Sequence, residues 1–103
     1  MIEAPFSYVF DAELWLWDAR QSDSWTFVSL PADASAEIRE IAGAVPRGFG
    51  SVRVTVTIGA TTWKTSIFPG SYGRYALPLK KTVRVAEGIE HGDTATVRVE
   101  LDV

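Results

Sequence analysis

The sequence predicts a mainly β protein: a small closed β-barrel with a pseudo-twofold internal repeat and one or two short helices. Three observations lead there. Apolar residues recur at every second position in several short runs, as strands with one buried face require. Turn-forming Pro, Gly and Asp clusters separate the runs at regular spacing. Two stretches also resemble each other at a fixed shift. The chain has 103 residues, 47% hydrophobic and 12% aromatic, with no cysteine. That length is one domain, residues 1–103. Its twelve aromatics, at about 150–250 Å² each when buried, supply a core without metal or disulfide.

Residues 6 to 17 alternate, with Phe6, Tyr8, Phe10, Ala12, Leu14 and Leu16 on one face and Asp11 and Glu13 on the other. This is a long strand with its apolar side inward. Asp18 to Asp23 is a polar turn, and Ser24 to Leu30, with Trp25, Phe27 and Val28, returns as a hairpin partner. Pro31 ends that strand. Asp33 or Ser35 is placed to cap a helix over residues 34–42, with Gly43 just past its end and Ile38, Ile41 and Ala42 on one side. Gly43 to Gly50, with Pro46 and three glycines, reads as loop.

Ser51 to Ile58 alternates cleanly, with Val52, Val54, Val56 and Ile58 on one face. Gly59-Ala60 is a two-residue hairpin signal. It sets Val56 opposite Trp63, Val54 opposite Thr65 and Val52 opposite Ile67 in a returning strand from Thr61 to Phe68. Pro69 to Gly73 is a turn, Tyr75 to Leu77 a short strand, and Leu79 to Ala86 a short helix closed at Gly88. After the Glu90-His91-Gly92-Asp93 turn, Thr94 to Val103 is the last strand, with Val97, Val99, Leu101 and Val103 on one face. A shift of 45 residues superposes Arg39 on Arg84, Gly43 on Gly88, and Val52-Arg53-Val54 on Val97-Arg98-Val99. Each unit reads strand, Leu-Pro, helix, Gly, loop, strand.

Several chemistries are excluded or weakly represented. Without cysteine there is no disulfide framework, zinc ribbon, iron–sulfur site or thiol nucleophile. The one histidine, His91, reads as an exposed turn residue rather than a base or metal ligand. Asp11 and Glu13 read as exposed-face charges, and Asp93 as a side-chain cap of its own turn. There is no Gly-x-Ser-x-Gly elbow, phosphate loop or dinucleotide fingerprint, so no cofactor and no catalytic residue is assigned. No apolar stretch approaches the roughly 20 residues of a membrane helix. The start, Met1 to Pro5, lacks a basic region ahead of an apolar one. A cytoplasmic monomer or weak oligomer is the expected setting.

Charge is segregated along the chain. From Ile41 to Ala86 there is no acid but seven bases: Arg47, Arg53, Lys64, Arg74, Lys80, Lys81 and Arg84. All thirteen acids lie outside it, with three bases, for a net −3. Folded into one face, such a segment attracts anions; folded among the acids, it is neutralised. Of the four tryptophans, Trp25 and Trp63 read as core. Trp15 and Trp17 share the Asp11/Glu13 face and are the candidates for an exposed aromatic site.

The second half also carries a pattern: Trp63-Lys64-Thr65-Ser66-Ile67, Tyr75 to Lys81, Val83-Arg84 and Gly88-Ile89-Glu90-His91-Gly92-Asp93. With Leu14 to Trp17 and Trp25 to Pro31 it resembles a bacterial domain-of-unknown-function family, number nineteen-oh-five. The resemblance covers nearly the whole chain and departs at Ala60 and Thr61, where glycine and often histidine are expected. It implies a double-split β-barrel with no established activity. Arg84, Gly88-Ile89 and Gly92-Asp93 are also spaced as in the swapped-hairpin DNA-binding dimers of the AbrB/MazE type, with two more residues between Pro78 and Arg84 than those have.

The function expected is non-catalytic binding of a small ligand or anion, on Arg47, Arg74, Lys80, Lys81 and Arg84, with Tyr72 and Tyr75 as flanking contacts. The alternatives are a protein-interaction domain docking through Trp15 and Trp17, and nucleic-acid binding by analogy with the DNA-binding barrels. An enzyme would need a pocket with convergent titratable groups.

Overall fold

The computed structural model describes residues 6–18, 24–43 and 50–102. Among these residues are seven strands, β1 (Ser7–Glu13), β2 (Trp15–Asp18), β3 (Ser24–Ser29), β4 (Val52–Ile58), β5 (Thr61–Pro69), β6 (Tyr75–Pro78) and β7 (Thr94–Leu101), and two α-helices, α1 (Ala32–Gly43) and α2 (Lys81–Glu87). The strands form one antiparallel sheet in the order β1-β7-β4-β5-β6-β3-β2, curled as a half-barrel. The expected strand from 6 to 17 is therefore two strands, and they stand at opposite ends of the sheet order. Leu14 joins them. Its N–H donates to the Asp93 carbonyl at 2.8 Å, and its own carbonyl accepts from the Gly92 N–H at 2.8 Å. The chain thereby leaves β7 and turns to pair with β3.

Alternation decides which side chains enter the concave side. Val52, Val54, Val56 and Ile58 from β4 meet Ile67 from β5 and Ala95, Val97, Val99 and Leu101 from β7. Thr26, Val28 and Leu30 bring the β3 segment into the same interior, with Leu14, Tyr75, Leu77 and Leu79. Phe6, Tyr8, Phe10, Ala12 and Trp63 pack against it half-buried, and Ile38 of α1 closes one end. Leu16 does not follow its row inward. It is exposed, because the strand has turned at Leu14 and no described element covers it. Trp25 also departs from expectation: it is exposed, since Thr26 and Val28 occupy the inward positions of β3.

Local signals held where backbone geometry is restrictive. Gly59 takes φ +58, and the β4–β5 hairpin has Val56↔Trp63, Val54↔Thr65 and Val52↔Ile67 as expected. Gly88 ends α2 in the left-handed conformation, and the Ile89 N–H donates to the Arg84 carbonyl. The Asp93 carboxylate accepts from the Glu90 N–H at 2.9 Å, as expected of a turn cap. Helix α1 starts earlier than expected, at Ala32. Ser35 thus lies inside the first turn, buried, and its hydroxyl accepts the Tyr75 N–H at 3.0 Å.

Helix α1 is also tied to β1, through the Tyr8 hydroxyl donating to Glu37 Oε1 at 2.5 Å. Burial of the phenol, then the Glu37 hydrogen bond and negative charge, push the Tyr8 pKa from 10.0 up to about 12. The folded state therefore holds this proton more tightly than the unfolded chain. The stability it contributes is whole below pH 10.0 and is lost as pH rises towards about 12. Phenolate absorbance should show the Tyr8 phenol titrating late, and Glu37→Gln should lower that midpoint without restoring it fully. An unchanged midpoint would deny Glu37 its part.

Candidate functional site: an aromatic trough on the outer sheet face

Directly opposed residues of antiparallel strands share a face, and alternate residues of one strand share it too. Trp15 opposes Phe27 and Trp17 opposes Trp25. Phe27 opposes Pro78, Ser29 opposes Ala76, and Ala76 opposes Phe68. The outer face across β2, β3, β6 and β5 is therefore one nearly unbroken aromatic and apolar surface. Its opposite face carries Thr26, Val28 and Leu77, which are buried.

With the segment from Pro69 to Arg74 along one side, this surface forms an open trough of about 690 Å³. Trp15 and Phe27 stack with ring centres 4.9 Å apart, and Phe27 and Trp25 with centres 6.4 Å apart, each pair inclined by little more than 20°. The Trp15 indole N–H donates to the Ser29 hydroxyl at 2.9 Å, which holds that end of the ladder. Trp17 (53% exposed) and Trp25 (52%) leave about half of their surface open to solvent.

The Gly70–Arg74 segment is built tightly. The Gly70 N–H donates to the Arg74 carbonyl at 2.9 Å and the Arg74 N–H to the Ser71 carbonyl at 3.1 Å. Arg39 of α1 donates to the Gly73 carbonyl from outside. Between these ties Tyr72 sits at φ 58, ψ 30, a conformation a bulky L-residue seldom adopts. Its side chain is 97% exposed and lines the trough. Arg74 is the one charged residue among the described lining. Its Nε donates to the Leu30 carbonyl at 2.7 Å, and among the described residues no carboxylate pairs with it.

Of the residues singled out from sequence, the structure brings Tyr72 and Arg74 into this trough, beside Trp15 and Trp17. Tyr75 is buried instead, with the Arg39 guanidinium 5.9 Å from its ring centre; the two border a smaller hollow of about 370 Å³. Lys80 and Lys81 are exposed at the start of α2 and do not line the trough. Arg84 is half-buried and occupied: Nε donates to the Leu79 carbonyl and Nη1 pairs with Glu90 at 3.4 Å. Arg47 lies outside the described residues. The basic segment is partly interleaved with acids, as Lys64–Asp102 at 3.8 Å also shows. Sequence reasoning missed Trp25, Phe27 and Phe68 as surface residues. Strict alternation of β3 groups the first two on the face opposite Thr26 and Val28, but does not say which face is buried.

His91 is exposed in its turn, and no three His, Asp or Glu among the described residues are grouped to hold a metal. Among the described residues no helix is long and apolar enough to cross a membrane.

Fold and site together define a small, mainly β domain with an open aromatic trough on its outer face. The chain matches the family described as Domain of unknown function (DUF1905) over residues 10–99, and belongs to it. No curated protein matches the chain.

Proposed function

We propose that the protein is a non-catalytic binding module that holds a small, mainly apolar ligand in the trough. The observation that carries this is the trough itself. Monomers rarely leave a contiguous apolar surface of this kind open unless it is used. Its volume of about 690 Å³ also falls within the roughly 300–1,000 Å³ of small-molecule sites. The lining offers ring faces and few polar atoms, which favours binding over bond-making chemistry.

An amide-resolved NMR titration with neutral and anionic flat-ring compounds tests it. Shifts should gather on Trp15–Asp18, Ser24–Ser29 and residues 68–76. The double variant Trp17→Ala/Trp25→Ala should lose at least about tenfold in affinity, since stacking contributes roughly 1–3 kcal/mol per ring, with little loss of stability because both rings are exposed. Shifts elsewhere, or none, would overturn this reading.

One observation favours a second reading, docking of a protein partner. Among the described strands β2 pairs only with β3, and it carries exposed Trp15, Leu16 and Trp17 on an end strand. An added strand from a partner fits such an edge. Nucleic-acid binding is less favoured, because the described trough lining has one base and the chain a net charge of −3.

The pairing pattern also supports reading the half-barrel as two related halves closing a double-split barrel. Strand β5 pairs with β6 of its own half and β4 of the other. Strands β1 and β2, joined at Leu14, likewise pair with β7 of the other half and β3 of their own.

A further inference from the structure

Resting on the trough as a ligand site, we propose that its ligand is a flat ring system bearing a single anionic group. The ring lies against the Trp15–Phe27–Trp25 ladder, the anion is held by Arg74, and Tyr72 covers the ring from the rim.

Arg74 carries the assignment of charge. A guanidinium offers five N–H donors, and here Nε is engaged by the Leu30 carbonyl. That bond anchors the group while Nη1 and Nη2 have no carboxylate partner among the described residues. The two terminal nitrogens form a fork that matches a carboxylate or a phosphate monoanion. The apolar walls leave the charge little competition, so an anion on the ligand supplies what the site lacks. A cation meets only repulsion there. A polyanion finds a single base along the described trough.

Tyr72 supplies the second strand of the inference. Backbone strain in a bulky residue persists where its surroundings enforce it, and it gathers at binding sites. Here two backbone hydrogen bonds and one from the Arg39 side chain fix the segment, yet Tyr72 is 97% exposed. The ring contributes almost nothing to packing of the free protein. Its placement over the trough makes contact only when something lies below it.

The experiment compares three probes with one ring: 2-naphthoate, 2-naphthamide and 2-naphthylmethylammonium, each titrated into the whole chain and followed by tryptophan fluorescence and amide shifts. Naphthoate should bind about tenfold or more tighter than the amide, as one charge-assisted hydrogen-bonded pair provides, and the ammonium weakest. In Arg74→Gln the naphthoate–amide gap should close to within about twofold with amide affinity retained. Tyr72→Gly should weaken all ring binding while leaving the melting temperature unchanged or raised, because glycine takes the left-handed conformation freely. Equal binding of naphthoate and amide to the unaltered protein would overturn the anion assignment while leaving the trough a ligand site. Binding of none of the three would overturn the ligand reading itself. A short oligothymidylate that binds more tightly than naphthoate, with steep salt dependence, would also overturn the proposal, in favour of single-stranded nucleic acid.

Discussion

Leu14→Ala is expected to destabilise the fold by about 3 kcal/mol, while Leu16→Ala, two residues along the same apolar row, changes stability by no more than about 0.5 kcal/mol. Leu14 is 1% exposed and Leu16 is 42% exposed. Truncating Leu14 removes its transfer energy and leaves a cavity among neighbours fixed by the sheet. Its backbone is bonded on both sides, to Asp93 and Gly92, so the chain cannot easily collapse inward to fill the gap. Against the roughly 5–15 kcal/mol that holds a domain together, this is a large fraction. It corresponds to a fall in melting temperature of roughly 12–24 °C. Urea unfolding of both variants checks it; similar midpoints for the two would show that the strand does not turn at Leu14.

Gly70→Ala is the second large effect, and it acts on the site. A Cβ at Gly70 would stand 2.7 Å from the Arg74 carbonyl oxygen, with the Ala76 methyl 3.5 Å away. The obstacle is backbone, and the same carbonyl accepts the Gly70 N–H, so relief requires the whole Gly70–Arg74 segment to shift. Overpacking of this kind costs about 1–3 kcal/mol. Tyr72 and Arg74 ride on that segment, so affinity for 2-naphthoate should fall at least about tenfold. Gly88→Ala is the comparison. Nothing lies within 4 Å of its Cβ, but its φ of +66 imposes left-handed strain, so it should cost stability and leave affinity unchanged. Calorimetry paired with probe titration separates the two; unaltered affinity in Gly70→Ala would remove the segment from the site.

The strands and their turns were legible because each rests on a local rule. The β4–β5 register followed from valine alternation and one glycine able to take positive φ. The end of α2 followed from Gly88. At β3 the local rule was followed less strictly. Trp25 was expected inside because it is large and apolar. Alternation alone yields two faces, Trp25–Phe27–Ser29 and Thr26–Val28–Leu30, and the second is the smaller and more polar-looking. It is nonetheless the buried one, because Leu77, Tyr75 and Leu14 converge on that side. The charge pattern was legible as sequence but not as surface. Lys64 and Arg84 meet Asp102 and Glu90 from the acidic part of the chain, and Arg74 is left with the aromatic trough.

The amino-acid sequence by itself therefore determined the mainly β class, the hairpin register, the helix stop and membership of the family, since these depend on residues close together in the chain or on an overall pattern of types. The tertiary structure alone decided that the β3 aromatics face outward and that Phe68, Tyr72 and Arg74 join them. Residues 17 and 72 come to line one trough only through the pairing of β2 with β3, β3 with β6 and β6 with β5. Each register along that path moves side chains from one face to the other when it slips by one, so the site is a product of long-range pairing that no local signal encodes.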